Sequence, residues 1–400
     1  MKLFSEHIDE LDKKHHGVHL AGMRARSAER AAQRALAHNP LLVISALVAL
    51  VTMFFVPPSI EYLDYFNWHT LACLFSILAV IAAIDSSGLL EFVAHSLAEH
   101  AKSTRTLVVA LVLVSLVCSM FLSNDMTLVT VLPLALILLK SVNRKSEVPF
   151  AFIAITLAAN SGGMLLPFGN PHNLYLYSLF GVDFGDFIAV MAPPLILSAS
   201  LLLVRCFFVK KAEFHYKKPE SVRLSKPRVV IYVVLFALCI AMTVDAVPFL
   251  MGMVVIVVVL AITDRRVFAK TDYALVMTFV CFFIFSGNIA QIPAISSFFE
   301  SVLDSCGAFI TSLVSSQIIS NVPSAIILSH FSNDWAGIVL GTNVGAVGTP
   351  IASLATLITL RQYQKSGLGN NGAFIARFEA YNFATLIIVA LFEIFIMQVH

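Results

Sequence analysis

Of the 400 residues, 58% are hydrophobic and only 12% are charged, about half the charged fraction of a soluble domain. That composition excludes a water-soluble globular protein and indicates an all-α polytopic membrane protein. The formal net charge of +2 says little, because what matters is where the lysines and arginines sit. Nucleic acid is not an expected partner; the lipid bilayer is.

Residues 1–40 are polar and rich in Ala, Arg and His. They are too long and too mixed in charge for a signal peptide, and read as a cytoplasmic N-terminal segment. A first span is expected at 40–56. Glu61 and Asp64 follow it without a basic residue, so that loop should face outward. A second span covers 68–84, anchored by Trp68. Within 88–102, Leu90, Val93, Ala94, Leu97 and Ala101 recur at helical spacing, as in an amphipathic helix lying along the interface.

The apolar stretch 106–140 is split by Ser123-Asn124-Asp125. Its arms of about 15–17 residues are shorter than the roughly 20 that a span needs. Lys102 and Arg105 flank one end, and Lys140, Arg144 and Lys145 the other, so it reads as a re-entrant hairpin opening to the cytoplasm. A broken crossing follows at 149–180, then an outer loop with Asp183 and Asp186, and a return span at 187–209. These elements form a first transmembrane repeat, 41–209. The loop 210–228 contains Lys210, Lys211, Lys217, Lys218, Arg223, Lys226 and Arg228 against Glu213 and Glu220, and is the strongest cytoplasmic marker.

The second repeat, 229–400, has spans at 229–247, 248–262 and 273–290, with Arg265 and Arg266 inside. An interfacial helix at 293–305, a hairpin at 307–331 opening from outside, a broken crossing at 335–360 and a last span at 378–398 complete it. The expected total is nine spans and two hairpins, with the N-terminus cytoplasmic and the C-terminus outside. The six cysteines (73, 118, 206, 239, 281 and 306) lie scattered in apolar segments. They read as packing residues, with neither disulfides nor a metal site.

The interruptions carry the functional signal. Hydrocarbon supplies no partner for a free N–H or C=O, so broken backbone at that depth must be buried in protein or line a wet cavity. Ser123-Asn124 recurs as Ser320-Asn321. Asn160-Ser-Gly162 followed by Pro167 recurs as Asn343-Val-Gly345 followed by Pro350. Paired interruptions in two halves point to inverted repeats with a binding site at their interface. Each tip aims the carbonyl end of one half-helix and the amide end of the next at one point, suiting a cation and an anion respectively. Asn124, Asn160, Asn321 and Asn343 add carboxamides; Ser123, Ser320, Thr127 and Thr349 add hydroxyls. No Lys or Arg falls inside these motifs, so an anion would be held by dipoles, amides and a bound cation.

These residues resemble the ion transporter superfamily over about 41–398. That family includes divalent anion–sodium symporters, citrate transporters, arsenite permeases and a group of sodium/proton antiporters. Ser123-Asn124 and Ser320-Asn321 match its hairpin tips. Gly162-Gly163 and Gly169-Asn170-Pro171-His172-Asn173 match the first broken crossing. Gly348-Thr349-Pro350 with Ala352-Ser353-Leu354-Ala355-Thr356 is closer to the arsenite permease form of the second. Where the symporters have threonine after Ser-Asn, this chain has Asp125 and Val322. The resemblance implies a homodimeric secondary transporter of the cytoplasmic membrane, with a transport domain moving like an elevator, and no enzyme activity. It needs no cofactor beyond a coupling ion, Na⁺ or H⁺. Ser123, Asn124, Asp125, Asn160, Gly162, Gly163, Ser320, Asn321, Asn343 and Gly345 are expected at the cation, and Asn124 and Asn321 are expected to be equivalent. Ser123, Asn124, Asp125, Thr127, Asn170, Pro171, Asn173, Ser320, Asn321, Thr349 and Pro350 are expected at a small anionic substrate of citrate or dicarboxylate type. The alternative is efflux or antiport of the arsenite or Na⁺/H⁺ type.

Asp125 is the sharpest single residue, because an ionisable group inside a membrane is functional by default. It either carries the coupling charge or caps the helix that follows it. His172 is either a proton-sensitive ligand or a hydrogen-bonded structural histidine. Asp245 and Glu393 are expected to reach the interface.

Overall fold

The computed structural model describes residues 40–213, 216 and 226–399, and all its regular structure is helical. The N-terminal segment, and within the basic loop 210–228 the position of Arg223, lie outside the described residues.

Helix α1 (Pro40–Thr52) is followed by α2 (Trp68–Ser86), α3 (Leu89–His100), α4 (Thr104–Leu122), α5 (Asn124–Ser141), α6 (Val148–Met164), α7 (Pro171–Phe180) and α8 (Phe184–Cys206). After the basic loop come α9 (Lys226–Thr243), α10 (Phe249–Asp264), α11 (Tyr273–Ala290), α12 (Pro293–Ile319), α13 (Asn321–Leu328), α14 (Trp335–Val344), α15 (Leu354–Lys365) and α16 (Asn371–Val399). Among the described residues eight helices are long and apolar enough to cross a membrane: α2, α4, α5, α8, α9, α11, α12 and α16.

Three boundaries differ from expectation for local reasons. Helix α1 has 13 residues, about 20 Å at 1.5 Å per residue, and falls short of a roughly 30 Å hydrocarbon core. Pro57-Pro58 lies just beyond it, and proline cannot continue a helix. The arms of the first hairpin are 19 and 18 residues long, longer than the sequence reading allowed. Ser103 starts α4 early by accepting from the Thr106 N–H, which serves one orphan donor of the first turn. Helix α12 runs through what was expected to be an interfacial helix and a hairpin arm, but it breaks at Gly307 (φ 75°, ψ 160°), a left-handed conformation that glycine adopts without a steric cost.

The packing is reciprocal between the halves. The first hairpin (α4, α5) embraces α6, and the second (α12, α13) embraces α14. Helix α15 of the second broken crossing packs on α5 and α6, while α7 of the first packs on α13. Helix α1 packs on α11 and α2 on α9 and α10, and α2 and α11 join this group to α7 and α13 in one core. Small residues allow the close approaches. A Cβ at Gly162 would collide with Leu116 O and Ser119 Oγ. A Cβ at Gly345 would stand 3.0 Å from Leu313 O and 2.9 Å from Ser316 Cβ. Leu116 and Ser119 precede their Ser-Asn tip by the same spacing as Leu313 and Ser316 precede theirs. The motif repeat is therefore also a repeat of neighbours.

Candidate functional site

Both hairpin tips turn on a serine in the same unusual conformation. Ser123 has φ 70° and ψ 154°, and Ser320 has φ 77° and ψ 156°. That region is nearly exclusive to glycine and costs on the order of 1–3 kcal/mol per residue. Both turns start a new helix at once, so Asn124 and Asn321 open α5 and α13 with amide N–H groups free of helical partners. Asn321 N–H donates to Ala352 O at 3.1 Å, which ties the second tip to the second helix break.

The two helix breaks are 165–170 and 345–353. A helix that stops in a protein interior leaves carbonyls to be satisfied. At the first break Asn173 does this. Its Nδ2 donates to Gly163 O at 3.3 Å, Met164 O at 3.2 Å and Leu166 O at 3.5 Å. At the second break the donor is Gln317, which the sequence reading passed over. Its Nε2 reaches Gly345 O at 2.6 Å and Val347 O at 3.3 Å, and its Oε1 accepts from Thr349 N–H at 2.9 Å. The available signal was a carboxamide in an apolar arm, three residues before the Ser320-Asn321 tip.

Side chains of the two breaks then meet across the halves. Asn170 Nδ2 donates to Asn343 Oδ1 at 3.3 Å, and Ser353 Oγ donates to Asn160 Oδ1 at 3.5 Å. Asn343 stands to Asn160 as Ser353 stands to Asn170 in the repeated motif, so the pair of contacts is mutual. Asn124 Nδ2 donates to Asn160 Oδ1 at 3.1 Å, and Asn343 Nδ2 to Asn173 Oδ1 at 2.6 Å. Asn124, Asn160, Asn170, Asn173, Asn321 and Asn343 are all buried. The cluster is not fully satisfied: Asn124 Oδ1 and Asn160 Nδ2 lack partners. Buried polar atoms are normally paired, so this is where a small polar ligand would gain most.

Asp125 looks elsewhere. It sits in the first turn of α5, and Ser123 provides no side-chain cap there. Together with Met126, Asp272, Thr278, Leu354 and Arg361 it lines a cavity of about 250 Å³ between α1, α5, α11 and α15. The structure thus separates Asp125 from the asparagine cluster, whose residues do not line this cavity. It also brings Arg361, which no sequence motif singled out, into the same cavity.

The remaining candidates sort by what they touch. Thr127 Oγ1 donates to Ser123 O at 2.9 Å, and Thr349 Oγ1 to Gln317 O at 2.8 Å; both hydroxyls are spent on the backbone of the hairpins. Pro171 is the first residue of α7, where its missing N–H is harmless, and Pro350 lies in the second break. His172 is fully buried beside Asn343, with neither ring nitrogen in a well-formed hydrogen bond. Asp245 is exposed and lies 3.3 Å from His69 Nε2, as a residue at a span end should. Glu393 does not reach the interface: it is 2% exposed, with Oε1 unpartnered, because it falls on the inward face of α16. The six cysteines are free, and no cluster of metal-ligating side chains occurs among the described residues.

Comparison with known proteins agrees with this architecture. A family profile described as citrate transporter matches residues 35–333. The inner membrane protein YbiR of Escherichia coli is 30% identical over 373 residues, spanning 90% of this chain and 95% of that one. An uncharacterised transporter of Methanocaldococcus jannaschii is 29% identical over 346 residues, spanning 84% and 91%. Among solved structures, the Alcanivorax borkumensis YdaH transporter, described as having an unusual topology, superposes with a TM-score of 0.51 at 14% identity, covering 83% of this chain and 86% of that one. The last likeness speaks to fold alone.

Proposed function

The chain belongs to the citrate transporter family and is a multi-pass membrane transporter; on that footing we propose that it carries a small anion or organic acid, of citrate or dicarboxylate type, across the cytoplasmic membrane coupled to Na⁺ or H⁺. The observation that carries the proposal is the buried asparagine cluster at two helix breaks, joined across the halves and left partly unsatisfied. Mutual contacts of this kind are what a two-fold relation between inverted repeats would produce. Carboxamide and hydroxyl oxygens suit a hard monovalent cation.

The cavity beside Asp125 supports the anion half of the cycle. At about 250 Å³ it accommodates a small carboxylate, and Arg361 offers a planar, permanently charged partner for one. An ionised Asp125 in the same cavity would oppose it. Like charges about 4 Å apart repel by roughly 4 kcal/mol at an effective dielectric near 20. The cycle is therefore ordered: Asp125 is neutralised by a proton or a neighbouring cation first, and the anion follows. The hairpins and broken crossings would move as the transport domain of an elevator within a homodimer, and α1, α2, α9, α10 and α11 would serve as its scaffold. The relative named an inner membrane protein supports placement in the cytoplasmic membrane.

One observation favours the second reading, efflux or antiport of the arsenite or Na⁺/H⁺ type. Asp125 and Asp272 line a single cavity, an arrangement suited to exchanging protons for cations. The deciding experiment is anion binding by the purified protein from pH 5 to 8, with and without Na⁺, across a panel of carboxylates. Affinity that depends on Na⁺ or on pH supports coupled symport. Affinity indifferent to both sinks it and leaves efflux or antiport.

A further inference from the structure

A pocket of about 210 Å³ opens where the chain leaves α8 for the basic loop, lined by Glu147, Phe150, Arg205, Phe208, Val209 and Tyr381. It shares no residue with the cavity beside Asp125. Three elements meet here: Glu147 immediately precedes α6, Arg205 lies in the last turn of α8, and Tyr381 belongs to α16. The acid at a helix start and the base at a helix end each complement the local dipole.

Neither charge is otherwise used up. Glu147 stands at the N-cap of α6, yet its side chain makes no capping hydrogen bond. The Arg205 guanidinium has five N–H donors and gives one hydrogen bond, from Nη1 to Thr385 Oγ1 at 3.0 Å. Its Cζ lies 5.0 Å from the centroid of the Tyr381 ring, and the Phe150 ring meets the same ring at 6.0 Å. Among the described residues neither Glu147 nor Arg205 forms an ion pair. Opposite charges held apart in one half-buried pocket keep their desolvation cost without the gain of pairing. A lone anion entering here would meet Glu147, and a lone cation would meet Arg205. A zwitterion with a phosphate and an ammonium answers both. The phosphate accepts two N–H bonds from the guanidinium fork, and the ammonium suits a carboxylate flanked by aromatic faces.

The surroundings indicate where such a group comes from. Phe208 is 82% exposed, and Phe207 and Val204 are exposed beside it. Large apolar side chains at the end of a span lie against lipid at the level of the headgroups. The pocket is smaller than the roughly 300–1,000 Å³ that encloses a drug-sized ligand, so it takes a headgroup and leaves the tails outside. We propose that it binds one phospholipid with a zwitterionic headgroup, phosphate on Arg205 and ammonium on Glu147, with the acyl chains along Phe207 and Phe208. The lipid is a structural ligand that clamps α16 to α6 and α8, separate from the transported substrate.

The test is native mass spectrometry and thermal unfolding of the purified protein in detergent, with phosphatidylethanolamine and phosphatidylglycerol of matched acyl chains and with free phosphoethanolamine. Wild type should bind one phosphatidylethanolamine per protomer, about tenfold more tightly than phosphatidylglycerol, and melt higher with it. Arg205→Gln should weaken that binding by about tenfold. Glu147→Gln removes the repulsion toward an anionic headgroup, so it should lose the preference for phosphatidylethanolamine while still melting cooperatively. Phosphatidylglycerol bound as tightly as phosphatidylethanolamine by wild type would overturn the proposal, as would an unchanged preference in Glu147→Gln. Equal protection by free phosphoethanolamine would overturn the lipid and make the ligand a soluble zwitterion.

Discussion

Asn173 was expected at the substrate, and in the structure its amide bridges the first helix break. Replacing it with alanine separates the two roles. The change removes the donors to Gly163 O and Met164 O, a longer contact to Leu166 O, and the acceptor for Asn343 Nδ2 at 2.6 Å. Asn343 keeps its second bond, to Val339 O at 2.9 Å, so its amide is not stranded. Counting three good bonds at about 1 kcal/mol net each, the loss is about 3 kcal/mol. With an unfolding entropy near 2 cal/mol/K per residue, a chain of this size should melt about 3–4 °C lower. The assay is thermal unfolding of purified Asn173→Ala beside wild type in one detergent, followed by uptake in proteoliposomes. A melting temperature within about 1 °C of wild type combined with lost uptake would refute the bridging role and return Asn173 to the substrate.

Asp125→Asn should preserve the fold, since asparagine is nearly isosteric and also suits a helix N-terminus. If Asp125 carries the coupling charge, this variant loses the dependence of anion binding on pH or Na⁺; an unchanged profile from pH 5 to 8 would reduce Asp125 to a helix-terminal residue. Arg361→Gln should weaken anion binding by about tenfold, the loss of one charge-assisted contact, while Na⁺ binding persists; unchanged anion affinity would remove Arg361 from the substrate cavity. Cysteines placed at 183 and 265 should be labelled by a membrane-impermeant reagent from outside and from the cytoplasm respectively, and the reverse pattern would overturn the orientation read from the basic loops.

The sequence by itself determined the class, the positions of the helix breaks and the pairing of the motifs. These follow from local rules: apolar length sets a span, and proline, glycine and Ser-Asn interrupt it wherever they stand. Gly307 was legible as the start of the second hairpin for that reason. The pairing of Asn160 with Asn343 was legible because spacing survives translation along a chain. Only the tertiary structure decided what each polar side chain faces. Asn124 and Asp125 are neighbours in sequence, yet one joins the asparagine cluster and the other lines a cavity with Arg361, because successive helical residues point about 100° apart. Gln317 and Arg361 belong to no repeated motif, and nothing in a linear reading brings them to the second break or to Asp125. Asn124 and Asn321 are identical in motif, yet Asn124 Oδ1 is left without a partner while Asn321 Oδ1 accepts from Val322 N–H, a difference that only the packing around each tip decides. Hydrogen bonding depends on distance and direction at the scale of tenths of an ångström, and that information resides in the packing of helices far apart in the chain.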